Sequence, residues 1–275
     1  MEGIGMERMS KGALSASMSY RNLLNASDGD PVRTNCVPVT ESPFLIVGDH
    51  AGKAIPATLQ NLGLSAEDRS RHIAMDLGVE ELGLALADKL GAPFLWQHFS
   101  RLVCDCNRHP DDPEWAIEIS DGTPVSGNSR LNEDAKKARR QSIFDPYHDA
   151  IASAISRRLA AGQPSILVSL HSFTPSMGGQ QRPWHIGILH DGHEDAFARK
   201  MLELLRARRE YCIGDNQPYE MDETDYTVPR HAYPLGLPYV EIEVRQDLLS
   251  GPAKIEKMAA LLEENLKEAG RDHYP

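Results

Sequence analysis

The segment SILVSLHSFTP, residues 165–175, places a short apolar run directly before a histidine and two hydroxyl residues. Such a run, preceded by Pro164 and followed by a break that ends in Pro175, is typical of a buried β-strand, which we predict over 165–170. His171, Ser172 and Thr174 then lie where the chain is predicted to leave its sheet. Because ligands of open α/β sheets bind outside the carboxyl ends of the strands, His171 is a candidate functional residue.

Similar apolar runs predict further strands at 43–48, 92–99, 101–106, 185–190 and 238–245. Helical patterns lie between or after them, at 77–91, 144–162, 194–210 and about 252–269. This alternation predicts an α/β fold with a mostly parallel central sheet and helices on both faces. Residues 1–40 show no periodicity and are predicted to form a flexible N-terminal arm or an edge wrap, which leaves 41–275 as a single domain.

Composition narrows the function classes. The net charge of -11 and the pI near 5.5 argue against nucleic acid or an anionic membrane as a partner, because both are polyanions. The chain has no apolar run of the ~18 residues that a membrane span needs and no apolar signal segment, so we expect a cytoplasmic protein. The four cysteines lack zinc-site spacing and are predicted to be buried, unreactive thiols.

Polar side chains gather where the predicted strands end, and they are Asp49, His50, Asp105, Asn107, Arg108, His171, Ser172, Glu241, Glu243 and Arg245. Together they have the chemistry of a metal hydrolase, in which imidazoles hold Zn²⁺, a carboxylate takes a proton from water and arginines bind an anionic substrate. Singly, each has a simpler explanation, such as a turn histidine, a solvated glutamate or a surface arginine. Residues 107–132 form a long connection, which suggests a functional lid.

Seven segments in order carry a resemblance to the N-formylglutamate amidohydrolase family, and more distantly to the zinc carboxypeptidases, over about 43–249. They are GDHAGKAIP (48–56), MDLGVEEL (75–82), SRLVCDCNR (100–108), LHSFTP (170–175), RPWHIGIL (182–189), DNQPYE (215–220) and EIEVRQDLL (241–249). Each segment is a weak signal alone, but their common order is a strong one. The resemblance implies a three-layer, zinc-exopeptidase-like α/β fold.

The resemblance also implies a metal site with Zn²⁺ as the expected ion. It places two ligands at His50 and His171. The carboxypeptidase pattern has a glutamate three residues after the first histidine, where this chain has Lys53. Either another carboxylate completes the site, or the metal is held weakly or is absent. Asp76 resembles an acidic position of the amidohydrolase family and is the first choice, with a helix N-cap as its alternative role. Asp49 is the second choice.

Catalytic and substrate-binding roles follow from the same resemblance. Glu243 falls where the family has its catalytic glutamate, and Arg101 resembles the arginine that polarises the scissile carbonyl. The predicted substrate-binding residues are Asn107, Arg108, Arg182 and Ser172. We therefore expect a metal-dependent hydrolase of linear amides that removes a formyl or acyl group from a small N-acylated, acidic amino acid such as N-formylglutamate. The alternative, which Lys53 favours, is a non-catalytic protein that binds small anions and retains the fold without metal.

Overall fold

The computed structural model describes residues 23–35, 41–192 and 194–271. The strands are Val32–Thr34 (β1), Phe44–Gly48 (β2), Phe94–Gln97 (β3), Ile119–Ser120 (β4), Thr123–Pro124 (β5), Ile166–Phe173 (β6), Ser176–Met177 (β7), Gln180–Gln181 (β8), Ile186–Leu189 (β9), Ile213–Asp215 (β10) and Tyr239–Arg245 (β11). The α-helices are Val79–Leu90 (α1), Glu133–Arg139 (α2), Asp145–Ala160 (α3), Ala196–Arg206 (α4), Thr227–His231 (α5) and Pro252–Arg271 (α6).

Seven of these strands form one sheet, in the order β1-β3-β2-β6-β11-β9-β10. The four central strands β3, β2, β6 and β11 are mutually parallel, and β9 is parallel to β10. Among the described strands of this sheet, only the pairs β1–β3 and β9–β11 are antiparallel, and two separate hairpins, β4–β5 and β7–β8, are antiparallel as well. The predicted mostly parallel sheet is confirmed.

Helices cover both faces of the sheet. On one face, α1, α4 and α6 pack on Ile46, Val168 and Ile242, which are fully buried. On the other, α3 and α5 pack on Leu45 and Leu167. Burying an aliphatic side chain of this size contributes about 1.5–3 kcal/mol, so the two apolar layers supply the main driving force for the fold. The predicted three-layer arrangement is confirmed.

The strand that carries the candidate histidine is longer than predicted. We expected it to end at residue 170, but β6 continues to Phe173 and all eight of its residues are buried. The neighbouring strand β11 pairs with it over the same length, with Glu243 opposite His171 and Arg245 opposite Phe173. Because this pairing satisfies the backbone groups, His171 and Ser172 lie within the strand and not in a loop after it.

The predicted strand at 101–106 is wrong, because the structure has turns there. Its apolar residues are nonetheless buried, since Leu102, Val103, Cys104 and Cys106 belong to the core on the α3 side. Apolar periodicity reports burial, and a buried loop gives the same signal as a short strand. The cysteine prediction holds for Cys104 and Cys106 but is wrong for Cys212, which is exposed.

The predicted N-terminal arm contains a short element. Leu23 is buried, and β1 pairs with the edge of the sheet through β3. Residues 1–22 and 36–40, including Cys36, lie outside the described residues, so the division at residue 40 stays a prediction. Among the helices that the structure describes, none combines the length and apolar character of a membrane span.

Candidate metal centre and active site

The face of the sheet that packs against α3 changes from apolar to polar along three neighbouring parallel strands. Near the amino ends of β2, β6 and β11, the residues on this face belong to the apolar core. Alternate residues of a strand share a face, so the later residues of the same set also point to this side. Those are polar, namely Asp49, Ser169, His171, Glu241 and Glu243. A cavity of about 540 Å³ opens at the carboxyl ends of these strands.

Two imidazoles and one carboxylate meet inside this cavity. Nδ1 of His171 lies 2.9 Å from Oδ2 of Asp76, and Nδ1 of His50 lies 3.5 Å from the same oxygen. The ring centroids of the two histidines are 4.9 Å apart. All three side chains are buried, and their possible ligand atoms lie within 4.8 Å of one another. The structure therefore brings together the three residues that the sequence analysis assigns to the metal.

Backbone groups on both sides set the position of Asp76. Its N–H donates to the carbonyl of His50 at 2.8 Å, and its Oδ2 accepts the N–H of Ser172 at 3.3 Å. The hydroxyl of Ser172 donates to the carbonyl of Leu77 at 2.9 Å. The N-cap of α1 is Gly78, without a side-chain hydrogen bond, so the interpretation of Asp76 as a helix cap is wrong. Ser172 supports the carboxylate, and its contact with substrate stays a prediction.

Nε2 is the nitrogen of each imidazole that faces away from Asp76, and in both rings it contacts an oxygen atom. Nε2 of His50 lies 2.7 Å from Oδ1 of Asp105. Nε2 of His171 lies 3.1 Å from Oγ of Ser169 and 3.5 Å from Oδ2 of Asp49. A hydrogen on each Nε2 satisfies these contacts, so both Nδ1 atoms face Asp76, and their lone pairs are available to a metal ion when the rings are neutral. Outer carboxylates orient the histidine ligands of metalloproteins in the same way.

The cluster fits a divalent transition metal. Nδ1 of His50 is buried and has no hydrogen-bond partner among the residues that the structure describes. Two imidazole nitrogens and one carboxylate oxygen form a ligand set that Zn²⁺ accepts in catalytic sites, where a further position stays open. Lys53, which replaces the glutamate ligand of the carboxypeptidase pattern, is exposed and is not one of the described residues that line the cavity. A carboxylate, that of Asp76, thus lies beside the two histidines, although this chain has Lys53 where the carboxypeptidase pattern has a glutamate.

Glu241 and Glu243 extend from β11 into the same cavity. Both are buried, and the Oε2 atom of each lacks a hydrogen-bond partner within the described ranges. Burial, partly offset by His171, raises the pKa of Glu243 to about 8. Burial also raises the pKa of Glu241 well above its usual range, and the charge of Asp225 adds to this effect. Two carboxyl groups of unusual basicity therefore face the cavity.

Arg101 brings a permanent positive charge next to the cluster. Its Nη2 donates to Oδ2 of Asp105 at 2.6 Å, and its Nη1 lies 3.6 Å from Oδ1 of Asp76. Burial alone would lower the pKa of this guanidinium, but the two carboxylates hold it above the usual value. The side chain is 29% exposed and lines the cavity, so it can reach a bound substrate.

The side-chain amide of Asn107 forms hydrogen bonds to other residues of the protein at both its oxygen and its nitrogen. Its Oδ1 accepts the N–H groups of Tyr226 and Thr227, each at 2.9 Å, and its Nδ2 donates to Oδ1 of Asp225 at 3.1 Å. These three bonds fasten residues 225–227 against the end of the loop that carries Asn107. Its role as a direct substrate ligand stays a prediction, but the structure already employs both ends of its amide.

The two arginines predicted to bind substrate lie at different depths. Arg108 lines the cavity, where its Nη1 donates to two backbone carbonyls at 3.0 and 3.3 Å and lies 3.6 Å from Asp225. Its side chain keeps 20% of its surface exposed. Arg182 packs on Tyr219 and lies outside the set of described residues that line the cavity.

Sequence reasoning missed several residues of the site. The support of His50 by Asp105 could have been suspected, because Asp105 lies within the CDCNR motif. Tyr219 and Asp225 also line the cavity, but they belong to an irregular segment that has no periodic signal. Their positions depend on contacts with residues far along the chain, since Asp225 accepts a bond from Asn107, 118 positions earlier, and Tyr219 one from Arg182, 37 positions earlier.

The chain is similar to several known proteins. A family model described as N-formylglutamate amidohydrolase matches residues 42–250. The crystal structure of a gene product from Agrobacterium tumefaciens is 32% identical, with a TM-score of 0.87, and the match covers 92% of this chain and 100% of that one. The N-formylglutamate amidohydrolase from Ralstonia eutropha is 18% identical, with a TM-score of 0.64 over 88% of this chain and 97% of that one, and shows the same fold. None of the curated proteins compared with the chain matches it.

Proposed function

The chain belongs to the N-formylglutamate amidohydrolase family, and from this premise we propose that it is a zinc-dependent amidohydrolase. Its proposed substrate is a small N-formyl or N-acyl amino acid with an acidic side chain, with N-formylglutamate as the first candidate. The observation that carries the proposal is the buried set of His50, Asp76 and His171, whose inner atoms converge inside the cavity that also holds Glu243.

The metal would be held by Nδ1 of His50, Nδ1 of His171 and the carboxylate of Asp76. When bound, Zn²⁺ supplies a Lewis acid that polarises the amide carbonyl and makes water more acidic. Its positive charge also offsets the negative charge of the buried carboxylates around the cluster, which favours occupancy of the site.

Glu243 is the proposed proton carrier of the hydrolysis. In this role its carboxylate takes a proton from the attacking water and then delivers it to the nitrogen of the leaving amine, while the C–N bond breaks. The raised pKa of about 8 suits the second, acidic half of this cycle. A divalent cation nearby favours the ionised form that the first half requires.

Two arginines are proposed to bind negatively charged groups of the substrate, one the developing oxyanion and the other a carboxylate. Arg101, held beside the cluster by Asp105, is positioned to stabilise the oxyanion that develops on the scissile carbonyl. Arg108, which lines the cavity, is the proposed ligand of a substrate carboxylate. Asn107 then acts by holding the wall beside Arg108. The alternative of a metal-free anion-binding protein rests on Lys53, and the carboxylate of Asp76 beside the two histidines favours the metal-dependent hydrolase over it.

Metal analysis combined with an activity assay tests the proposal. Protein purified without chelator should contain zinc and hydrolyse N-formylglutamate, and dialysis against a chelator should remove both properties. Added Zn²⁺ should restore them. Hydrolysis that continues at the original rate in metal-free protein would refute the metal dependence, and failure to hydrolyse any N-acyl amino acid with zinc bound would refute the proposed reaction.

A further inference from the structure

Three large apolar side chains are exposed where the cavity opens, and they come from three separate loops. Ile119 in the β4–β5 hairpin is 61% exposed, Met177 in β7 is 41% exposed, and Tyr219, after β10, is 39% exposed. All three line the cavity, and we refer to them as the apolar mouth. The other exposed large apolar residues of the described chain, Leu84, Leu159 and Leu235, do not line it. Isolated exposed apolar residues are common, but a group around one cavity indicates a ligand contact.

The hairpin that carries Ile119 is held in place. It turns at Asp121 and Gly122, which have φ values of 42° and 73°, as a tight two-residue hairpin requires. The carboxylate of Asp121 lies 3.2 Å from Arg71 and 3.3 Å from His72. The pair of Arg71 with Asp121 contributes little stability by itself, but Nη1 of Arg71 also donates to the hydroxyl of Thr123 in β5 at 2.7 Å, so one arginine contacts both sides of the turn. Ile119 is thus presented to the cavity in one defined position.

Arg182 joins the other two members of the apolar mouth. Its Nη1 donates to the hydroxyl of Tyr219 at 3.0 Å, and its Nη2 contacts Sδ of Met177 at 3.0 Å. The guanidinium carbon lies 4.8 Å from the centroid of the Tyr219 ring, within the range of a cation–π contact. This arginine therefore braces two apolar side chains from different loops, which is a positioning role.

The size of the cavity points in the same direction. N-formylglutamate has only about twelve non-hydrogen atoms, whereas cavities of roughly 300–1,000 Å³ enclose drug-sized ligands. The cavity here measures about 540 Å³. A cavity of this volume has room for a group beyond N-formylglutamate, and the apolar mouth is the part of its lining that an apolar group would contact.

We propose that the substrate carries an apolar group that extends from the scissile amide to Ile119, Met177 and Tyr219. This inference rests on the proposed amide hydrolysis and specifies its substrate class, which is N-acyl amino acids that bear an aliphatic or aromatic group. The group belongs either to the acyl chain or to the amino-acid part, and both arrangements place the same chemistry at the apolar mouth.

Two ligand series test this proposal and distinguish the two arrangements. One series varies the acyl chain on glutamate from formyl through acetyl and butanoyl to hexanoyl, and the other extends N-formylglutamate by an amide-linked leucine or phenylalanine. Dissociation constants are measured by calorimetry on zinc-loaded Glu243→Gln protein, in which turnover is expected to be slow. In one series the affinity should rise by about two- to fourfold for each methylene buried, as transfer of apolar surface predicts.

Two surface variants test whether the preference for longer ligands depends on the apolar mouth. Ile119→Ser should lower the preference for the longest over the shortest ligand by about tenfold, as expected from the loss of a buried aliphatic contact. Leu235→Ser is the matched control, because Leu235 is 54% exposed and does not line the cavity within the described structure. It should leave the preference unchanged.

The outcomes separate this inference from the proposed function. Equal affinity for all members of both series, or equal effects of Ile119→Ser and Leu235→Ser, would overturn the apolar mouth as a substrate contact. Binding that strengthens with chain length, in a wild-type enzyme that hydrolyses none of the ligands, would support the contact and instead refute the proposed hydrolysis.

Discussion

Nε2 of His50 lies 2.7 Å from Oδ1 of Asp105, and this contact determines that Nδ1 is the ring nitrogen that faces Asp76 and His171. Asp105 is itself held by the guanidinium of Arg101 at 2.6 Å and by the backbone N–H of Asn107 at 2.8 Å. The carboxylate thus connects the candidate ligand to the candidate oxyanion-binding arginine. A change at Asp105 is expected to affect metal binding although Asp105 is not one of the three proposed ligands.

Asp105→Asn should weaken zinc binding about 10- to 100-fold, the usual cost of losing an outer carboxylate that orients a histidine ligand. The amide keeps the size of the side chain but removes its negative charge. Competition with a chromogenic chelator measures the affinity directly, without reliance on turnover. Asp111→Asn, at a side chain that is 92% exposed, is the control and should bind zinc normally. Wild-type affinity in Asp105→Asn would show that the Nε2 contact is dispensable.

Asp76→Asn and Asp49→Asn decide which acidic residue completes the metal site. Asp76 lies 2.9 Å from Nδ1 of His171, on the inner side of the ring, whereas Asp49 lies 3.5 Å from Nε2 on the outer side. We therefore expect Asp76→Asn to lose stoichiometric zinc and Asp49→Asn to retain most of it. Metal content by mass spectrometry, with circular dichroism to verify folding, gives the answer. The opposite pattern would move the ligand to Asp49.

Glu243→Gln should reduce kcat by about 100-fold or more while the zinc content stays at the wild-type level, because the amide keeps the shape but cannot carry the proton. Glu241→Gln is the matched comparison, since Glu241 is equally buried on the same face of β11. We expect its kcat to fall much less. If Glu241→Gln instead shows the larger loss of kcat, the proton carrier is Glu241.

The pair His148 and His231 should make the fold sensitive to acid. Nε2 of His148 lies 3.0 Å from the carbonyl of Cys106, and its Nδ1 lies 3.0 Å from Nε2 of His231. The carbonyl requires a hydrogen on Nε2 of His148, so its Nδ1 accepts the hydrogen of His231 and both rings are neutral. Burial lowers the pKa of His148 to about 4 and that of His231 to about 3.

These lowered pKa values determine the sign of the pH effect. Between pH 6.5 and about 4 the unfolded chain binds protons that the folded chain excludes, so this pair lowers the free energy of unfolding as the pH falls. Each histidine contributes a slope of about 1.4 kcal/mol per pH unit. His231→Gln, which retains an N–H donor for His148, should reduce the change in unfolding free energy per pH unit by about that amount. Urea unfolding at several pH values, on protein treated with a chelator to remove metal, measures this change. An unchanged slope, or the same change in exposed His109→Gln, would contradict this assignment.

Much of the fold could be predicted from periodicity, since β2, β6, β11 and the helices α1, α3 and α6 all occur close to the predicted positions. The edge strands β1 and β10 have three residues each, too few for a periodic signal. The proposed ligands could be predicted because short motifs carry them. The hydrogen bonds that position the site residues could not be predicted. Bonds such as that from Asn107 to Asp225 join residues 118 positions apart and leave no local pattern in the sequence.

Arg108→Lys tests how the protein recognises an acidic substrate. The guanidinium of Arg108 uses Nη1 for two backbone carbonyls, and its Nε lies 3.9 Å from Oε2 of the exposed Glu114. A substrate carboxylate that displaces Glu114 can form two parallel hydrogen bonds with the Nε–Nη2 edge. Lysine offers a single point charge and cannot form this fork. We expect the KM for N-formylglutamate to rise tenfold or more, because the ~1.5–3 kcal/mol of a charge-assisted hydrogen bond corresponds to about 10- to 150-fold. The KM for the uncharged diamide of the same substrate should change little. Steady-state kinetics on both substrates, with a melting curve for each protein, measures the effect. An equal rise in KM for both substrates, together with a lower Tm, would mean that Arg108 serves only to hold the wall formed by Thr224 and Asp225.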